Sequence, residues 1–128
     1  MSSGAIYPDL QDKVVLVTGG GSGIGEAIVR KFAQQSAMVG FIDLKSEASA
    51  QLAHELNKAG GKVFFVRADL TDIDALRQAV ASVRAEFGPI QVLVNNAAHD
   101  ERHATLEVTP DYWDDRIAVN LKHQFFAA

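Results

Sequence analysis

Short apolar runs alternate along the chain with stretches in which apolar residues recur every three or four positions. Lys13 to Val17 reads as a first strand, Met38 to Asp43 as a second, Lys62 to Val66 as a third and Ile90 to Val94 as a fourth. Between the first two, Ile24, Ile28 and Phe32 mark one face of a helix from Gly23 to about Ser36. Leu52, Leu56 and Ala59 mark a second helix, Ser46 to Ala59, which Gly60-Gly61 stops. Thr71 is the expected cap of a third, which carries Ile73, Leu76, Val80, Val83 and Phe87 and ends at Gly88-Pro89. After a polar loop, Ala97 to Val108, Thr109-Pro110 opens a last helix with Asp111, Asp114 and Asp115 near its positive end. The fourth strand is apolar except for Gln91, which predicts burial on both faces.

Strands that alternate with helices imply right-handed crossovers and a parallel sheet, here in the order 3-2-1-4. The fold class is therefore α/β, a Rossmann-type doubly wound sheet. Ligands of such sheets bind at the carboxyl edge where the strand order reverses, between strands 1 and 4. Thr18, Asp43, Asp69 and Asn95-Asn96 all fall at strand carboxyl ends, so residues remote in sequence meet on one rim.

The rim begins with the run Thr18-Gly19-Gly20-Gly21-Ser22-Gly23-Ile24-Gly25, placed between the first strand and the first helix. Glycines permit a tight turn and a close backbone approach to phosphate, and the free N–H groups at a helix start face an anion. A glycine-rich run alone is weak evidence, but Asp43 closes the second strand about 18 residues beyond Gly25, near the spacing of an acidic residue that takes ribose hydroxyls. The pair points to a dinucleotide. A carboxylate at Asp43 repels a 2′-phosphate, so NAD is expected rather than NADP. Lys45 is the one dissenting charge, and its ordinary reading is a solvated lysine before a helix.

Composition narrows the classes. The 128 residues fit one domain, 1–128, and 48% hydrophobic content supplies a core. A net charge of −4 with no basic stripe argues against a nucleic-acid partner. Met1 to Leu10 has no apolar signal core and no later run spans a bilayer, so no membrane partner is expected. The chain has no cysteine, which excludes disulfides and thiolate chemistry and suits a cytoplasmic protein.

The motifs together resemble the amino-terminal half of a classical short-chain dehydrogenase/reductase. Thr18-Gly19 with Gly23-Ile24-Gly25 matches that family's cofactor motif, and Ala68-Asp69-Leu70 matches its adenine-side segment. Asn95-Asn96-Ala97-Ala98 matches the motif that stabilises the fourth strand, with Ala98 where glycine is usual, and Val119-Asn120-Leu121 matches the segment bearing the catalytic asparagine. The resemblance implies hydride transfer between a nicotinamide cofactor and an alcohol or carbonyl substrate. It implies that Gly19, Gly21, Ser22, Gly23, Ile24 and Gly25 hold the phosphates, and that Asp43 and Leu44 lie at the ribose. Asp69 and Leu70 would flank the adenine, Asn96, Ala97 and Ala98 would line the cofactor, and Asn120 would help hold the water and lysine of a proton relay. It also implies a homo-oligomer, dimer or tetramer. Trp113, Ile117, Leu121 and Phe125, four residues apart, could form the contact between subunits or pack on the chain's own sheet, as such spacing equally demands.

Each residue has a plainer alternative. Asp69 could cap the third helix, Asn95 and Asn96 could be turn residues, and Asn120 could be a solvated helix position. Members of the family also carry a serine and a Tyr-x-x-x-Lys. The two tyrosines here, Tyr7 and Tyr112, have no lysine four residues on, so these 128 residues alone are not expected to catalyse. They read as the first half of a longer enzyme, or as a chain needing a partner to cover the edge of strand 4. Substrate recognition is placed on His99, Arg102 and His103, in a mixed-charge loop similar to that of sugar-oxidising members. A metal site built from His99, Asp100, Glu101 and His103 is set aside, because a loop does not hold such ligands on one rigid face. A 3-oxoacyl thioester reductase and a non-catalytic dinucleotide-binding module are the competing readings.

Overall fold

A computed structural model of the chain describes residues 4–99 and 104–128. Four strands, β1 (Val14–Thr18), β2 (Met38–Asp43), β3 (Lys62–Arg67) and β4 (Val92–Val94), form one parallel sheet in the order β3-β2-β1-β4. The helices between them are α1 (Gly23–Gln34), α2 (Ser46–Lys58) and α3 (Ile73–Phe87); α4 (Pro110–Ile117), a π-helical turn (Ala118–Lys122) and α5 (His123–Ala127) follow β4. The expected fold class and strand order are therefore those of the structure.

Alternate strand residues serve two cores. Val15, Val17, Val39, Phe41 and Val63 pack with Val29 of α1 and with Leu52 and Leu56 of α2. On the opposite face Val14, Leu16 and Ile42 pack with Leu76, Ala79 and Val83 of α3, and Ala127 of α5 reaches this cluster. β1 is buried along its whole length because it has a strand on each side and helices on both faces. At about 1.5–3 kcal/mol per fully buried large apolar side chain, this strand anchors the carboxyl edge where the polar residues gather.

Three expectations need correction, and one of two alternatives left open is decided. β4 is half-buried rather than covered on both faces, because it lies at the sheet edge and pairs only with β1. Ile24 stays 76% exposed, since α1 buries Gly25 and Val29 against the sheet and turns Ile24 outward. The cap of α3 is Asp72, not Thr71: its carboxylate accepts from the Ala75 N–H at 3.2 Å. Trp113, Leu121 and Phe125 do not pack on the sheet but stand 62%, 58% and 76% exposed. The expected cap at Thr109 is present, its hydroxyl accepting from the Tyr112 N–H with Pro110 behind it.

Candidate functional site

β1 delivers the chain into the glycine turn at its carboxyl end. Gly19 and Gly23 have φ of +71° and +57°, which a residue with a Cβ rarely adopts, and Ser22 is extended and gives α1 no side-chain cap. The first N–H groups of α1 therefore meet no capping side chain, the arrangement in which a helix start receives an anion. Gly25 is required for a different reason. A Cβ there would run into the Gly19 carbonyl oxygen and stand 2.6 Å from Asn96 Nδ2. The helix start, the turn and the segment after β4 thus meet at contact distances that exclude any side chain.

Thr18 ties that segment down. Its buried hydroxyl accepts from the Asn96 and Ala97 N–H groups at 3.1 and 3.2 Å, while the Asn96 side-chain amide donates to the Gly19 carbonyl at 3.0 Å. Asn96 and Ala97 are thus drawn against the glycine turn, and Ala98 and His99 follow as exposed residues. At the end of β2, Asp43 Oδ2 accepts from the Gly21 N–H at 2.9 Å and Oδ1 from the Lys45 N–H at 2.8 Å. The carboxylate is held at the mouth of the glycine turn, with Leu44 exposed beside it.

Beyond β3, Asp69 Oδ1 accepts from the Thr71 hydroxyl at 2.7 Å and from the Thr71 N–H at 2.9 Å. These two bonds, the hydroxyl's first, hold the Asp69 carboxyl below the usual carboxylate range. Asp69 closes a turn before α3 rather than capping the helix. Leu70 packs partly into the core beneath it.

Asn120 lies in the π-helical turn, where its side chain grips His99 at both ends of a peptide-like pair. Oδ1 accepts from the His99 N–H at 2.6 Å and Nδ2 donates to the His99 carbonyl at 2.9 Å. Its own carbonyl accepts from the Gln124 side-chain amide at 3.0 Å. The solvated alternative for Asn120 is thereby removed. A π-helical turn widens the helix by one residue per turn and recurs at functional sites. Arg102 and His103, with Asp100 and Glu101, lie outside the described residues. Among the described residues no cluster of three or more His, Cys, Asp or Glu is placed to hold a metal.

Two buried polar groups had no signal in the pattern. Ser49 of α2 and His123 at the start of α5 are fully buried, and neither Ser49 Oγ nor the His123 ring nitrogens have a hydrogen-bond partner among the described residues. Burial holds the His123 imidazole below its ordinary value, and the nearby Val119 and Ala118 carbonyls oppose this only in part. A serine inside a helix reads as a solvated residue, and nothing short of tertiary packing distinguishes Ser49. A cavity of about 580 Å³ lies elsewhere, between Tyr7 and Leu10 of the amino-terminal segment and Ile24, Ile28 and Phe32 of α1. It contains none of the strand-end polar residues.

Comparison with known proteins agrees with this fold. The short chain dehydrogenase family profile matches residues 13–128. A probable galactose dehydrogenase of Rhizobium meliloti is 47% identical over 94% of this chain and 47% of its own length. A D-xylose 1-dehydrogenase of Caulobacter vibrioides is 46% identical over 97% of this chain and 48% of its own. Among solved structures, a short-chain dehydrogenase/reductase from Serratia marcescens superposes with a TM-score of 0.88 at 41% identity, covering 94% of this chain and 49% of that one. A blue fluorescent protein from a metagenomic library, in complex with NADPH, superposes at 0.87 with 36% identity, over 92% of this chain and 49% of that one. The chain spans about half the length of the curated relatives it matches. No helix among the described residues is long and apolar enough to cross a membrane. Profile, relatives and fold agree: the chain belongs to the short-chain dehydrogenase family.

Proposed function

We propose that the chain is the dinucleotide-binding portion of an NAD-dependent oxidoreductase that transfers hydride between nicotinamide and a sugar hydroxyl or its carbonyl product. The observation that carries this reading is the convergence at one sheet edge of uncapped N–H groups on α1, the Asp43 carboxylate at the mouth of the glycine turn, and Asn96 locked to Gly19. The absence of a side chain at Gly25 lets the helix start pack against the Gly19 carbonyl and Asn96, and Gly23, open on its Cβ side, leaves the close approach that a pyrophosphate needs. The N–H groups of Gly23, Ile24 and Gly25 would hold the phosphates and Asp43 would accept from the adenosine ribose. Asp69 and Leu70 would border the adenine, and Asn96, Ala97 and Ala98 the nicotinamide side. When bound, the nicotinamide supplies the hydride acceptor or donor.

Asn120 holds the chain after β4 in place through His99, and so sets the floor of the substrate approach. The sugar class is supported by the galactose and xylose dehydrogenase relatives. Preference for NAD over NADP is supported by Asp43, whose charge repels a 2′-phosphate. Assembly as a homo-oligomer is supported by the exposure of Trp113, Leu121 and Phe125 along one helical segment.

The test is an NAD-reduction assay of the intact protein against D-galactose, D-xylose and a 3-hydroxyacyl thioester. Reduction with an aldose is expected. Turnover of the thioester alone would replace the sugar reading, and absence of NAD and NADP binding would overturn the dinucleotide site.

A further inference from the structure

Ser49 stands in the first turns of α2, completely buried, with its hydroxyl unpartnered among the described residues. A buried hydroxyl without a hydrogen bond is rare and unfavourable. The usual outlet for a helical serine, the carbonyl four residues back, is not taken here. Its surroundings show where the group is aimed. At the point where a Gly21 Cβ would stand, the nearest atoms are Ser49 Oγ and, at 2.9 Å, Asp43 Oδ2. Gly21 therefore leaves open one small space in which the hydroxyl and the carboxylate converge.

A carboxylate oxygen accepts two hydrogen bonds, and Oδ2 already takes one from the Gly21 N–H. The second place has no partner among the described hydrogen bonds, and the Ser49 hydroxyl flanks the same space beside Gly21. We propose that Ser49 is a positioning residue for Asp43: on dinucleotide binding its hydroxyl donates to Oδ2, pins the carboxylate, and so determines the discrimination between NAD and NADP. Gly21 and Ser49 then hold Oδ2, and Oδ1, with one place used by the Lys45 N–H, presents its other lone pair to a ribose hydroxyl. The Gly21 and Lys45 N–H groups already hold one oxygen each, and a third bond, from Ser49, raises the cost of swinging the carboxylate aside to admit a 2′-phosphate. The inference rests on the reading of the strand ends as a dinucleotide site.

The experiment compares the intact protein with its Ser49→Ala and Asp43→Asn variants, reading calorimetric Kd for NAD and for NADP and the melting temperature without cofactor. Ser49→Ala is expected to weaken NAD about three- to tenfold, the loss of one hydrogen bond to a charged group, and to lower the NAD-over-NADP preference by a similar factor. Its melting temperature is expected to hold or rise, because the change removes an unpartnered buried hydroxyl. An unchanged preference in Ser49→Ala beside a lowered one in Asp43→Asn overturns the positioning role alone. A lower melting temperature with equal weakening of both dinucleotides assigns Ser49 to packing and also overturns it. An unchanged preference in Asp43→Asn overturns the ribose reading on which the inference stands.

Discussion

β1 and β4 are neighbours in one sheet and nearly alike in composition, yet Val15 and Val17 are fully buried while Val92, Leu93 and Val94 are each half-exposed. The difference lies in their surroundings. β1 has a strand on either side, whereas β4 has one neighbour and an open edge. Burial is a property of the position a strand occupies, and an apolar run records what a strand can tolerate rather than what covers it. The same contrast divides the site. The turn after β1 is locked through Thr18, Asn96 and Gly25, while the helical segment after β4 grips His99 of its loop through Asn120 and leaves Trp113, Leu121 and Phe125 in solvent.

The sharpest way to break the locked region is Gly25→Ala. Its Cβ would meet backbone, the Gly19 carbonyl, which cannot yield as a flexible side chain does. A loss of about 1–3 kcal/mol or more is expected in urea unfolding of the intact protein. Calorimetry should show NAD binding weakened at least about tenfold, because the phosphate turn must move.

Substitution of paired residues on the two strands measures the contrast itself. Val17→Ala should destabilise the 128-residue chain by about 1.5–3 kcal/mol, and Val94→Ala by less than about half of that, in parallel urea titrations. Equal losses would mean that the edge of β4 is covered in solution. Asn120→Ala should remove two hydrogen bonds and about 1 kcal/mol of stability. It should also raise hydrogen-exchange rates at the His99 amide while leaving those of β1 unchanged.

The smallest effect concerns pH. Burial depresses the folded-state value of His123, so on acidification the unfolded chain takes up the proton first. The stabilising contribution of the neutral imidazole is complete above about pH 6.5 and is lost as pH falls through the folded-state value. Melting temperature should therefore decline from about pH 7 to 5, and more gently in a His123→Gln variant. Identical slopes would place the acid sensitivity elsewhere.

Much of this structure was legible in the residues themselves. The alternation of apolar runs and helical spacing defines the four strands, and the glycines, Asp43, Asn96 and the Thr109-Pro110 helix start each carry a local physical signature. The failures share one cause. Thr71 and Asp72 are adjacent residues that can both cap a helix, Asp the better, and Thr71 is engaged by Asp69 instead. Ile24 has the spacing of an inward residue but sits in the first turn, where α1 approaches the sheet through Gly25 instead. The burial of Ser49 comes from packing against segments remote in sequence, and no periodicity reports it or the π-helical turn around Asn120.

The central claim is that the ends of β1, β2 and β4 form a dinucleotide site. It is tested most directly by a crystal structure of the intact protein with NAD. The account predicts the pyrophosphate at the N–H groups of Gly23 to Gly25 and an adenosine ribose hydroxyl within hydrogen-bond distance of Asp43. A dinucleotide bound elsewhere, or a ribose that leaves Asp43 untouched, would contradict it.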